Sequence, residues 1–243
     1  MSSQGSDSQR SRASKERDGD NYWRRAGIVA ALIIFAGFSR TYFLRPAFGS
    51  PALTLLLHAH AAAMTSWIAL FITQTSLVRA GRVDIHRSLG ILGAALALAI
   101  AILGYFTAVG AGRTGHVPPG VPPLIFMGAN LATLLEWTLV TGAGIALRRR
   151  AAWHKRLMLL SCFVMASAAI VRLPLDAVEA YGINADRVWY FCLLTLVLTD
   201  TVRGRRIHPA FGFGVPGVLL LDWACGAFMG TNIWSKVAGW LIA

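Results

Sequence analysis

The sequence predicts an all-α protein, a polytopic membrane bundle of about seven transmembrane helices, on three observations. Apolar runs recur at about 26–44, 53–77, 88–110, 123–147, 155–174, 188–202 and 214–242, and most reach the length that crosses roughly 30 Å of hydrocarbon at about 1.5 Å per residue. The 243 residues are 56% hydrophobic and only 14% charged, against roughly 25% charged in soluble domains. The cations gather in the short connections between the runs, where membrane topology accounts for a net charge of +12 better than nucleic-acid binding does. The sixth run is short and the first contains Arg40, so six helices is the alternative count.

Taken in order, residues 1–21 are rich in Ser, Asp and Arg and nearly free of apolar residues. They read as a disordered cytoplasmic tail, because they cannot bury enough surface to offset the entropy of ordering. Trp23-Arg24-Arg25 then enters AGIVAALIIFAGF, which has no small-residue cleavage site and is followed by further runs; a retained first span is expected rather than a removed leader. Residues 22–243 read as one transmembrane bundle, with no connection long enough for a second domain.

Charge sets the expected orientation. Arg79, Arg82 and Arg87 lie in the second connection, Arg148, Arg149, Arg150, Lys155 and Arg156 in the fourth, and Arg203, Arg205 and Arg206 in the sixth. Odd-numbered connections hold fewer cations: Arg45, then Arg113, then Arg187 beside Asp176, Glu179 and Asp186. The positive-inside rule then places the N-terminus in the cytoplasm and the C-terminus outside, in the cell's inner (plasma) membrane. The third connection, GAGRTGHVPPGVPP, is a turn-rich outer loop. Cys162, Cys192 and Cys225 all fall in apolar runs without a CxxC pair, which indicates neither a disulfide framework nor a thiolate metal site.

Two stretches stand out. QTSLVRAGRVDIHRSLG (74–90) closes one run, turns, and opens the next; RAAWHKRLMLL (150–160) repeats its key spacing, with an arginine four residues before a histidine and a cation after it. His86 and His154 thus head the third and fifth helices at the same membrane face. Two imidazoles from different helices are what a bis-histidine haem requires, and Arg82, Arg87, Arg150 and Arg156 suit its propionates. The plainer alternative is that these histidines are interfacial residues that anchor helix ends. His58 and His60 point about 200° apart on one helix and cannot share a metal; His58, on a stripe with Ala62, Thr65 and Thr73, is the expected inward one and a metal-ligand candidate. Glu136 and Asp222 are buried-acid candidates for a proton relay. Asp222 shares a face with the small-xxx-small pattern Gly226/Gly230, and Arg40 and Arg172 are the expected partners of the acids.

The stretch 74–90, with its HRxLG element, and HKRLMLLSCFVMASAAIVR (154–172) together resemble an uncharacterised family of bacterial multi-span membrane proteins that carry paired HRxLG and HRxWMxR signatures. That resemblance implies a membrane location and a helical fold, and no established activity. More loosely, the histidine-headed helices are similar to transmembrane di-haem cytochromes b of the ascorbate-reducible type, whose histidines on four successive helices bind two haems at opposite faces. The likeness implies a cytoplasmic-side haem b on His86 and His154, and His58 or His60 beside an outer haem. The fourth run carries no histidine, so one haem is the stronger expectation. The function expected is electron transfer between a quinone or redox partner subunit and the haem. The alternatives are a proton-coupled permease built on His58, Glu136 and Asp222, and an accessory protein whose basic face binds anionic lipid or a partner subunit.

Overall fold

A computed structural model describes residues 3–48, 52–118, 120–175 and 183–243, with side chains described from residue 21 onward. The expected acids Asp176 and Glu179 fall outside the described residues. Within them the protein is all-helical: α1 (Ser3–Phe38), α2 (Leu55–Arg79), α3 (Val83–Thr114), α4 (Pro123–Ala146), α5 (Ala151–Ile170), α6 (Ala185–Gly204), α7 (Pro209–Met229) and α8 (Asn232–Ile242). A π-helical turn at Ser39–Phe43 and a 3₁₀ turn at Arg45–Phe48 prolong α1.

The helix ends follow from local chemistry. Thr54 Oγ1 accepts from the Leu57 amide at the start of α2. Gly81, at φ +72°, makes the tight turn into α3. Gly115, at φ +68°, stops α3 in a left-handed cap. Pro122 and Pro123 open α4, where a missing N–H costs nothing.

Five segments are long and apolar enough to cross a membrane: Asn21–Phe43 and helices α2, α3, α4 and α7. The fifth and sixth apolar runs also fold, as the 20-residue helices α5 and α6, but their charged and hydroxylated residues keep them out of that set. The last run does not form one helix. Thr231 breaks it: its hydroxyl donates to the Phe228 carbonyl at 2.7 Å and accepts from the Trp234 amide at 3.2 Å, which caps a new helix, α8. Along α8, Trp234 and Ala238 are buried beside Val109 and Met127, while Ile233, Val237 and Trp240 face outward.

Helices α1 to α5 form a closed ring in chain order, each packed on the next and α5 packed back on α1. Helix α5 also packs against α6 and α7, so it is covered on all sides; Leu159, Leu160, Cys162, Val164, Ala166 and Ala169 are fully buried. Trp67 of α2 and Trp137 of α4 meet across the ring, ring centres 5.2 Å apart at 76°. The inward stripe of α3 is small: Gly93 lies against Leu70, and Gly104 against Leu134 and His60.

Helix α1 crosses α5 closely at Gly37. A Cβ at Gly37 would collide with the backbone of Ala169, which cannot move aside as a side-chain tip would. Gly37→Val is therefore expected to destabilise the bundle by about 2 kcal/mol or more, read as a lowered thermal-unfolding midpoint in detergent. Gly142→Ala, where an added Cβ meets nothing, should leave that midpoint no lower.

Candidate functional site

The repeated arginine–histidine spacing has a backbone cause. Arg82 and Arg150 are the N-cap residues of α3 and α5, and each carbonyl accepts the first helical hydrogen bond from the histidine four residues on: His86 N to Arg82 O at 3.1 Å, His154 N to Arg150 O at 3.0 Å. Both histidines consequently leave the first turn of their helices at the same end of the bundle. Their ring centres stand 6.2 Å apart, with planes at 78°.

The surroundings fix part of this pair. His154 Nδ1 lies 2.8 Å from the Gly144 carbonyl of α4. A carbonyl only accepts, so Nδ1 carries the proton and donates; in the neutral ring the lone pair is then on Nε2. Gln74 of α2 donates from Nε2 to the His86 carbonyl at 3.1 Å and ties the α3 start to the α2 end. Gln74 Oε1 and His86 Nδ1 are both buried without a hydrogen-bond partner.

The four arginines do not act alike. Arg82 pairs with Asp84 at 3.5 Å in the open, and Arg87 and Arg150 are exposed beside the histidines. Arg156 is engaged elsewhere. Its Nε donates to Asp200 Oδ2 at 2.8 Å and its Nη2 to Asp200 Oδ1 at 2.9 Å, a bidentate pair that joins α5 to α6. Asp200 is 3% exposed. Trp23 of α1 lies under both Lys155 and Arg156, at 4.9 and 5.5 Å, and Tyr22 shares a 3.0 Å hydrogen bond with Thr199. This latch of α1, α5 and α6 was not legible in the sequence, since Asp200 sits 44 residues from Arg156 at no diagnostic spacing.

His208 is a cap. Its Nδ1 accepts from the Ala210 amide at 3.1 Å at the start of α7, and its ring lies 5.6 Å from that of Trp153. Burial, then the charge of Arg156, hold it below the ordinary histidine range, against the opposing pull of Asp200.

Elsewhere two expectations are corrected. His58 is exposed, with Tyr42 Oη 3.3 Å from its Nδ1; the inward histidine of α2 is His60, whose Nδ1 is buried and unpartnered and whose ring lies by Gly104. Seven residues separate His60 from Trp67 and Trp67 from Gln74, about two helical turns each, so all three share the inner stripe of α2. Arg40 and Arg172 do not serve the acids either. Arg40 lies over Phe48, and Arg172 between Phe38 and Phe126, donating to the Ala168 carbonyl. Glu136 is buried in α4 and Asp222 half-buried in α7. A Cβ added at Gly226 would meet nothing among the described residues, so the small-residue pattern beside Asp222 is not used for a close helix crossing there. His116 is exposed in its loop.

Among the described residues no three His, Cys, Asp or Glu side chains converge as a metal-binding group; what the bundle brings together is the imidazole pair. No protein-family model matches the chain, and no curated protein or solved structure matches it either. The likeness to the di-haem cytochromes rests on the histidine-headed helices alone.

The latch generates a direct test. Asp200→Asn leaves a largely buried guanidinium without its counter-charge and should cost about 3 kcal/mol, read as thermal unfolding in detergent. The double variant Arg156→Met/Asp200→Leu, which removes both charges, should be markedly more stable than the single one.

Proposed function

We propose that the protein is a multi-pass inner-membrane electron-transfer protein in which His86 and His154 hold one haem b at the cytoplasmic end. The observation that carries this reading is the separation of the two rings. Imidazoles on opposite sides of one metal, at about 2 Å from each nitrogen, have ring centres roughly 6 Å apart, and these stand at 6.2 Å. The orphaned His86 Nδ1 and the fixed tautomer of His154 support the same reading.

Haem bound there supplies a reversible one-electron couple. The chain's own residues do the rest. The Gly144 carbonyl holds the His154 ring in one orientation by accepting from Nδ1, which turns the opposite nitrogen away from Gly144. Gln74 anchors the backbone that carries His86. Arg87 and Arg150 are the cations left for propionates, because Arg156 is committed to Asp200 and Arg82 leans on Asp84. A quinone or a redox subunit is the class of electron partner.

On this reading Asn21–Phe43 and α2 to α7 all cross the bilayer, α5 and α6 included, with the polar N-terminal part of α1 in the cytoplasm. Two features support that count: α5 and α6 are each as long as a crossing helix, at 20 residues, and the cation-rich turns α2–α3, α4–α5 and α6–α7 then share one face.

A reduced-minus-oxidised visible spectrum of the purified protein, expressed with adequate haem, tests the assignment. Near-stoichiometric b-type bands are expected, lost almost completely in His86→Ala or His154→Ala and retained in His208→Ala. A flat spectrum from the folded protein, or full haem in the double His86→Ala/His154→Ala variant, would overturn it.

A further inference from the structure

Glu136 has a chemistry that the imidazole pair does not use. It stands thirteen residues after Pro123 and ten before Ala146, about 20 and 15 Å along α4 from either end, which is the middle of the hydrocarbon for a crossing helix. It is 2% exposed, and its Oε1 is buried with no hydrogen-bond partner. Among the described residues no cation pairs with it. The two cations that could have reached from the far end, Arg40 and Arg172, are held by aromatic rings.

A carboxylate left bare at that depth carries a desolvation cost of several kcal/mol, which taking up a proton removes. Helix α7, one of the helices packed on α4, carries a second acid, the half-buried Asp222.

We propose that Glu136 is a proton-binding site in the middle of the membrane, its buried, unpartnered carboxyl resting in the protonated form. The site is independent of haem. It gives the bundle a carboxyl in mid-membrane whose neutral form burial favours.

Dicyclohexylcarbodiimide reads this state directly. The carboxyl O–H adds across a C=N bond of the reagent: the proton goes to nitrogen and the oxygen to the central carbon. The acyl group then migrates to nitrogen and gives a stable N-acylurea, with no leaving group and no redox change. Trypsin releases 114–148 with Glu136 as its sole carboxyl side chain, and 207–236 with Asp222 as its sole one, so mass spectrometry assigns the adduct without ambiguity.

The full chain in detergent should give the adduct on 114–148, falling as pH rises, while exposed Asp84 stays unmodified. In Glu136→Gln the adduct should drop to background while thermal unfolding shows the protein still folded. Infrared spectroscopy supplies a second reading: a protonated-carboxyl C=O band that is absent in Glu136→Gln and shifts in D2O. An unmodified 114–148 peptide from folded protein, an adduct on 207–236 in its place, or a band that ignores D2O would each overturn the proposal. None of these outcomes depends on the visible spectrum, so failure here and failure of the haem assignment are separable.

Discussion

Hydrocarbon offers no partner to a polar group, and the bundle packs four helices around one whose polar residues run along its length. Helix α5 holds His154, Arg156, Ser161 and Ser167, with Arg172 just past its end, a composition that lipid would penalise heavily. Its neighbours α1, α4, α6 and α7 stand between it and lipid. Ser161 and Ser167 donate to carbonyls one turn back, Arg156 finds Asp200, and Arg172 rests between two phenylalanine rings. The close crossing at Gly37 and Ala169 brings α1 near enough to complete this cover.

That shielding explains which parts of the architecture could be read in advance. Helices that face lipid must be apolar, so α2, α3, α4 and α7 are plain from composition. A helix enclosed by protein is released from that requirement, and α5 therefore looks less like a span than helices at the periphery. The boundary between α7 and α8 is hidden for a related reason. Both are apolar, and only the hydroxyl of Thr231, bonded to Phe228 on one side and Trp234 on the other, marks where the chain turns.

The candidate site was legible to a similar degree. The RxxxH spacing signals two equivalent helix starts, and the ring closure that carries α3 and α5 to the same end makes the histidines neighbours. Side-chain direction was harder. His58 and His60 lie on opposite sides of α2, and the stripe of small residues near His58 pointed the wrong way, because α3 brings its own glycines to the His60 side. Arg156 went to Asp200 by a contact between distant segments, which a local pattern does not encode. The acids were recognised as buried, but the aromatic capture of Arg40 and Arg172, which leaves Glu136 without a counter-ion, depends on side chains from three other elements.

The equivalence of the two helix starts has a mechanical consequence. Each imidazole is joined by a short side chain to a residue whose backbone amide is already locked to the preceding arginine, so neither ring has a flexible loop behind it. The gap between them is thus a gauge of how α3 stands relative to α5. A tilt or slide of either helix, from lipid thickness or from a partner docking at the basic end, would pass straight into the distance between the rings, and any property that depends on that distance would report the posture of the bundle.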